Sequence, residues 1–368
     1  MNFIKKNIDI AVAFAVAAMV LAIAPYNTDY YLDCLNYPLL IKLFCLMAVV
    51  AGMREYGLLN WFWKTLLPKS CTPRSVGQFF IFLCFFTSML ITNDVALIIF
   101  VPLAIEVLLK TGQRENVIYV VVLQTIAANM GSMLTPMGNP QNLFIYEHYH
   151  LHLAEFLKIT APVTACCGTL LYLMTLRLGK YKVKLPDIKP AHLSKRVLLL
   201  LLSLFIMCIL CVLRIVSPEL LAITVVFFLN FLKGRLMLKV DFKLLGLFVL
   251  LFITVGGLSR MPVMQQWPVE ILNQSVYFST LAASQVISNV PTAVMLSGFT
   301  ADYKNLLLGV SIGGLGTMIA SMASLISFKA YCRVSENKAG RYFVIFTCLN
   351  ILLLVILTAV KYAVDYIF

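Results

Sequence analysis

The sequence predicts an all-α polytopic membrane protein: an inverted repeat with about nine transmembrane helices, two of them broken, and two re-entrant helical hairpins. Of its 368 residues, 61% are hydrophobic and only 12% are charged, whereas a soluble domain is about half apolar and a quarter charged. Apolar runs of about spanning length recur from end to end. Two polar triplets, Thr92-Asn93-Asp94 and Ser288-Asn289-Val290, interrupt such runs at corresponding places of two halves.

The apolar runs of the first half give its elements in order. They predict helices at 7–25 and 40–58, a hairpin at 76–109 with its tip at Asn93, a broken helix at 117–148 and a helix at 155–177. The first run follows Lys5 and Lys6 and has no convincing small-residue cleavage site. It also leads straight into further spans, so it is predicted to be a retained helix and not a signal peptide.

The second half repeats this order after one linking helix. The runs predict the link at 196–214, helices at 219–232 and 242–259, a hairpin at 276–300 with its tip at Asn289, a broken helix at 304–330 and a last helix at 342–364. The predicted division is a first repeat at 1–180, a cytoplasmic loop with the linking helix at 181–217, and a second repeat at 218–368.

The formal net charge of +13 comes from Lys and Arg clustered in short loops, so a membrane orientation explains it better than nucleic-acid binding. With re-entrant hairpins, five loops hold most of the basic residues: 54–74, 110–114, 177–196, 233–243 and 329–341. The opposite loops hold only Arg214, Arg260 and Lys304. This bias predicts a cytoplasmic N-terminus, nine crossings, an outside C-terminus, and halves inverted relative to each other.

The interruptions predict binding chemistry. A helix break frees backbone carbonyls that suit Na⁺ and N–H groups that suit an anion, and Asn, Ser and Thr side chains serve both. The break at Gly138 lies between Pro136 and Pro140, which cannot donate backbone hydrogen bonds. A Pro-kinked packing helix is the weaker alternative. No Cys or His cluster lies near the tips, which argues against a transition metal.

Two polar features keep alternatives open. Asp94 is the only carboxylate deep in a predicted membrane element, where it would bind a cation or carry a proton, or would cap the second helix of its hairpin. His148, His150 and His152 lie in one loop, which is either an interfacial loop, the favoured interpretation, or a metal site.

These residues resemble the ion transporter superfamily, which includes divalent anion:sodium symporters, citrate transporters, arsenite permeases and sodium/proton antiporters. The two triplets look like the Ser-Asn-Thr signatures at hairpin tips of the sodium-coupled dicarboxylate members. The stretch Gly138-Asn139-Pro140-Gln141-Asn142-Leu143 looks like the Gly-Thr-Pro-Pro-Asn-Leu segment of the superfamily, and Asn93-Asp94-Val95-Ala96-Leu97 is closer to the arsenite-permease tip. The third triplet position departs from Thr in both tips, being Asp94 and Val290.

The resemblance implies two overlapping sets of site residues. The substrate-binding set is Thr92, Asn93, Asn139, Pro140, Asn142, Ser288, Asn289 and Thr292. The cation-binding or coupling set, where Na⁺ is expected, is Thr92, Asn93, Asp94, Thr135, Gly138, Ser288, Asn289, Gly316, Thr317 and Ser321.

The expected function is secondary transport of a small anion, a di- or tricarboxylate, across the cytoplasmic membrane, coupled to Na⁺ or H⁺ by an elevator movement. The alternative on the same fold is an arsenite/antimonite efflux permease or a Na⁺/H⁺ antiporter, which Asp94 favours. No enzyme is expected, because no Ser/His, HExxH or GxSxG arrangement lies in the spans. The expected partners are the anion, the lipid bilayer and a second copy in a homodimer, with no nucleic acid and no cofactor beyond the coupling ion.

Overall fold

A computed structural model describes residues 8–23, 28–58, 72–182, 194–258, 272, 274–334 and 339–367. Within these ranges the chain forms 16 α-helices and no β-strand. The predicted helices lie within about three residues of the observed ones. Four of the described helices are long and apolar enough to cross a membrane unbroken, and the remaining apolar helices are shorter.

The helices of the first half follow the predicted order. They are α1 (Ile8–Ile23), α2 (Thr28–Cys34), α3 (Tyr37–Glu55), α4 (Pro73–Thr87), α5 (Asn93–Lys110), α6 (Val117–Ser132), α7 (Pro140–His148) and α8 (Leu153–Thr175). A 3₁₀ turn, Arg114–Asn116, precedes α6. Helices α4 and α5 form the first hairpin, and α6 and α7 are the two parts of the first broken helix.

The remaining helices carry the second hairpin and the second break. They are α9 (Lys195–Val212), α10 (Pro218–Lys233), α11 (Phe242–Leu258), α12 (Val276–Ile287), α13 (Asn289–Ser297), α14 (Tyr303–Gly313), α15 (Met322–Cys332) and α16 (Ala339–Ile367). A 3₁₀ helix, Gly234–Lys239, separates α10 from α11. Helices α12 and α13 form the second hairpin, and α14 and α15 the second broken helix.

The helices pack as two groups. In the inner group, the hairpins and broken helices (α4–α7 and α12–α15) pack on one another and on α8 and α16. In the outer group, α3 packs on α9, α10 and the second 3₁₀ helix, and α1 and α2 pack on α11. The groups meet mainly where α11 lies on α13 and α3 lies on α7.

The same helix contacts recur in the two halves of the inner group. Helix α4 packs on α6 as α12 packs on α14, and α5 packs on α15 as α13 packs on α7. Close approach is needed at equivalent glycines: a Cβ on Gly131 would lie 2.7 Å from the Ser88 hydroxyl, and one on Gly313 would lie 3.1 Å from the Ser284 hydroxyl. Each hairpin therefore sits against its own broken helix in the same way.

Helix α2 occupies part of what the sequence predicts as an outside loop at 26–37. Its position depends on two glycines of α11: the Tyr30 hydroxyl donates to the Gly256 carbonyl at 2.7 Å, and a Cβ on Gly257 would lie 3.2 Å from the Tyr31 hydroxyl. Tyr30 and Tyr31 thus pack on α11 at two adjacent glycines, where no side chain of α11 separates them from its backbone. This contact joins residues more than 200 positions apart, so no local pattern indicates it.

Candidate functional site

Each hairpin tip is tied to the loop of its broken helix. The backbone N–H of Asn93, the first residue of α5, donates to the Gly138 carbonyl at 3.1 Å. The N–H of Asn289, the first residue of α13, donates to the Ala320 carbonyl at 3.0 Å. When residues 134–138 are aligned with residues 316–320, Gly138 pairs with Ala320, as Asn93 pairs with Asn289 in the two triplets. The polar triplets therefore lie against the breaks, as their positions in the two halves suggest.

Hydroxyl groups make a second matched link. Thr135, in the first break, donates from Oγ1 to the Met89 carbonyl. Thr317, its counterpart in the second break, donates from Oγ1 to the Gln285 carbonyl at 3.0 Å. The two tip–loop units thus share one matched backbone and one matched side-chain hydrogen bond.

The first break is held open by buried amides. Asn142 donates from Nδ2 to the carbonyls of Ser132 (3.0 Å) and Thr135 (3.2 Å). Asn139 donates from Nδ2 to the Ser132 hydroxyl at 2.5 Å. A Cβ on Gly138 would lie 2.1 Å from the Ser132 carbonyl oxygen, so only glycine fits there. The Ser132 carbonyl, at the end of α6, is therefore paired where the chain turns into the loop.

Several oxygens near the breaks stay unpaired. Within the described part of the chain, no donor reaches Asn139 Oδ1 or Asn142 Oδ1 at the first break, or the hydroxyls of Ser311 and Ser324 at the second. All four side chains are buried. An unpaired buried oxygen is unfavourable unless a ligand, ion or water satisfies it. Hard neutral oxygens of this kind are what an alkali cation needs.

A cavity of about 310 Å³ adjoins the first tip. Thr92, Asp94 and Pro140 line it from the inner group, whereas Asn93 is buried behind them. Charged residues of the outer group line the opposite side: Arg54, Lys239 and Asp241. These three lie in segments that the loop charges place on the cytoplasmic side, and none of the described lining residues comes from the second tip.

Asp94 is the acidic residue of the inner group that lines this cavity. The Asp94 N–H donates to Asn93 Oδ1 at 2.9 Å, but no described backbone N–H is found donating to the Asp94 carboxylate. Asp94 is thus in the first turn of α5 without acting as a hydrogen-bonding cap. No such cap is found among the described residues, and contact of Asp94 with an ion or proton stays a prediction.

The second tip is tighter than the first. Ser288 alone joins α12 to α13, with φ 73° and ψ 158°, a conformation that disfavours residues other than glycine. Its hydroxyl lies 3.3 Å from the Ala320 carbonyl and 3.4 Å from Asn289 Oδ1. Thr292 is buried and donates to the Ser288 carbonyl at 2.7 Å. Strain of this kind often accompanies a functional site.

Gln285 holds the second break in place through its side-chain amide, and it is not among the site residues predicted from the sequence. Its Nε2 donates to the carbonyls of Gly313 (2.7 Å) and Leu315 (3.0 Å), and its Oε1 accepts from the Thr317 N–H at 2.9 Å. Gly316, at φ 101°, lies under this amide. The signal that could have found it is a lone amide in the apolar run before the second triplet.

Asn129 also was missed, although it joins the two units. Its Oδ1 accepts from Asn93 Nδ2 at 2.9 Å and from the Ser321 hydroxyl at 3.1 Å. The predicted site residues therefore form two clusters, one at each tip–loop unit, and this amide in α6 connects them. A buried amide late in an otherwise apolar helix was the available signal.

The histidine loop carries no metal cluster in the described residues. The His148 ring stacks on Phe144, with ring centroids 5.2 Å apart. The Tyr149 hydroxyl donates to the Thr300 carbonyl at 2.8 Å, and burial raises the pKa of this phenol. The loop thus packs against the end of the second hairpin.

The amino-acid sequence of the chain is similar to a family of transporters and to individual membrane proteins. The profile of the family described as citrate transporter matches residues 3–313. An uncharacterized transporter of Methanocaldococcus jannaschii is 33% identical over 87% of this chain and 88% of its own length. The inner membrane protein YbiR of Escherichia coli is 30% identical over 83% of this chain and 82% of its own.

A more distant relative is the putative transporter arsB of Dictyostelium discoideum, which is 28% identical over 38% of this chain and 25% of its own length. These relatives point to a transporter and not to an enzyme. The family match covers most of the chain, including both hairpins and the first break. The chain is therefore a membrane transporter that belongs to the citrate transporter family.

Proposed function

We propose that this transporter moves a small carboxylate anion, a di- or tricarboxylate, across the cytoplasmic membrane together with Na⁺ or H⁺. The observation that carries the proposal is the pair of tip–loop units, each with buried unpaired oxygens beside freed helix ends. One unit opens onto a cavity of about 310 Å³, and pockets for small molecules start at about 300 Å³. The family description adds the substrate class.

The anion would bind between the N–H ends and the polar side chains of the tips. Thr92 and Pro140 already face the cavity. The side chains of Asn93 and Asn289 are buried, so they would reach substrate only after a local rearrangement. The positive ends of α5 and α13 start at these asparagines and favour a negative ligand.

Two cation sites would lie behind the tips. Asn139 Oδ1 and Asn142 Oδ1 would contribute to the first, and the hydroxyls of Ser311 and Ser324 to the second. Ser311 and Ser324 extend the set that the sequence assigned to the second site. Binding a cation there would neutralise the repulsion between Asp94 and an anionic substrate.

The recurring contacts support an inverted repeat with two re-entrant hairpins. Inner and outer groups that share few contacts support an elevator movement, in which α4–α7 and α12–α15 would move with α8 and α16. The loop charges support a cytoplasmic N-terminus and an outside C-terminus. On this topology the cavity opens toward the cytoplasm. We also propose that the protein forms a homodimer.

Uptake into proteoliposomes tests this function. The purified protein is reconstituted, and uptake of labelled succinate, citrate and arsenite is measured under an imposed Na⁺ or H⁺ gradient. We expect uptake of at least one carboxylate that rises with one cation gradient. Protein-free liposomes and dissipated gradients are the controls. Na⁺/H⁺ exchange without uptake of any anion would overturn the proposal.

Arsenite or antimonite export, or Na⁺/H⁺ exchange, is the second candidate. Asp94 favours it, because a membrane carboxylate that lines a cavity suits proton or cation transfer. The likeness to the putative transporter arsB points the same way, over a smaller part of the chain.

The substitution Asp94→Asn is expected to abolish the effect of the cation gradient while substrate exchange persists, because the amide cannot change charge. Asp241→Asn is the matched control: Asp241 lines the same cavity from the outer group, and its Oδ1 accepts from the Leu244 N–H. It should keep the gradient effect. Equal gradient stimulation in Asp94→Asn and the wild type would remove Asp94 from coupling.

A further inference from the structure

Asn129 occupies the point where the two tip–loop units touch. It lies near the end of α6 and is only 4% exposed. Its Oδ1 accepts two hydrogen bonds, one from the first tip through Asn93 and one from the second break through Ser321. Its Nδ2 lies 3.5 Å from the Gly314 carbonyl, also in the second break. A single amide therefore bridges elements 192 residues apart.

We infer that Asn129 is a positioning residue that transmits the state of the second break to the first tip. The inference rests on the proposed function, because it assumes a cation site at the second break. Ser321 directly precedes α15, but its hydroxyl bonds to Asn129 instead of capping that helix. A cation that bound the Ser321 hydroxyl oxygen would change the hydrogen bond that this hydroxyl donates to Asn129 Oδ1. Because the same Oδ1 also accepts from Asn93 Nδ2, the change would reach the first tip.

Among the described residues, an amide link of this kind is found at the first tip only. The position in α14 that corresponds to Asn129 is Ser311, whose hydroxyl has no hydrogen-bond partner among the described residues. The second tip thus has no equivalent amide joining it to the first break. Asn129 is connected to its own break as well, because the Ser132 hydroxyl donates to the Asn129 carbonyl at 2.8 Å. Asn139, in the first break, donates in turn to the Ser132 hydroxyl, so hydrogen bonds connect both breaks to Asn129.

A coupling role for Asn129 can be distinguished from a purely structural role by comparison with Gln124. Gln124 is a buried amide on the same helix, and its Nε2 contacts are Phe80, Cys84 and Phe100, all in the first half. Removing either amide should lower stability, but only Asn129 should affect communication between the halves.

The first test measures the cation concentration for half-maximal uptake at low and at saturating citrate. In the wild type, bound substrate should lower this cation concentration by roughly 5-fold or more, which is a usual size of effect for coupled sites. Asn129→Ala should lose most of this shift, whereas Gln124→Ala, which removes a buried amide from the same helix, should retain it. A full shift in Asn129→Ala would overturn the inference.

The second test does not depend on transport. Melting temperatures in detergent are measured for Asn93→Ala, Ser321→Ala and the double variant, with and without Asn129→Ala. The two effects should be non-additive when Asn129 is present and additive when it is absent. Additivity in both backgrounds would refute the link. If the wild type takes up no anion under any gradient, the proposed function fails, while this cycle still decides the role of Asn129.

Discussion

Replacing Lys42 by alanine is expected to lower the free energy of unfolding by about 3–5 kcal/mol, because it leaves a buried carboxylate without its counter-ion. Lys42 Nζ lies 2.8 Å from Glu147 Oε1, and the side chains are 5% and 11% exposed. Lys42 belongs to α3 in the outer group and Glu147 to α7 in the inner group. The measurement is the unfolding free energy in detergent, from chemical denaturation.

Two comparisons identify the cause of this loss. In Lys42→Met combined with Glu147→Gln, most of the stability should return, because no buried charge remains. Lys110→Ala removes a similar ion pair with Glu106, but both partners are more than half exposed, so it should cost less than about 1 kcal/mol. A Lys42→Ala effect no larger than that of Lys110→Ala would show that the Lys42–Glu147 pair is well hydrated.

This ion pair also bears on the proposed movement, since it joins the two helix groups. Arg214, at the end of α9 in the outer group, adds to the link by donating to the Tyr146 carbonyl at 3.2 Å and stacking on its ring. Both contacts lie at the end of α7 opposite the cavity. An elevator movement would have to break them, so they would stabilise the arrangement that opens toward the predicted cytoplasmic side.

Most helix bounds could be predicted because they depend on local signals. Apolar runs have a length set by the bilayer. Pro136, Gly138 and Pro140 indicate a helix break by their own backbone properties, without any information on tertiary contacts. The polar triplets were found for the same reason: an Asn within an apolar run is visible without knowing its partner. These signals were sufficient to locate both clusters of candidate site residues.

The residues that were missed depend on partners far along the chain. Asn129 gains its role from Ser321, and Lys42 from Glu147, and neither pairing leaves a spacing that a single sequence reveals. The role of Gln285 is not evident from the sequence, because its counterpart in the first hairpin is the apolar Met89 and the two halves show no polar match there. These contacts depend on the direction in which each side chain points. At a broken helix, the pattern of apolar residues does not indicate that direction.

Replacing Asn142 by leucine is expected to lower cation affinity by about 10- to 100-fold, the usual effect of losing a group that supports an ion's ligands. The substitution would remove an unpaired buried oxygen and the two hydrogen bonds that Nδ2 donates across the first break. It would also leave the buried Ser132 carbonyl without this donor, at about 1–3 kcal/mol, whereas the Thr135 carbonyl would keep the bond from the Gly138 N–H. Cation-dependent uptake and melting temperature measure the two effects separately.

Asn350→Leu separates a site effect from the general effect of removing a buried amide. Asn350 lies in α16, is fully buried, donates from Nδ2 to the Phe346 carbonyl at 2.8 Å and has an unpaired Oδ1. It is thus matched to Asn142 in chemistry and burial but belongs to a helix without a break. If Asn350→Leu weakened cation activation as much as Asn142→Leu, the unpaired oxygens at the breaks would have no special role. A loss confined to Asn142→Leu would mean that the break, and not burial alone, makes an amide oxygen a cation ligand.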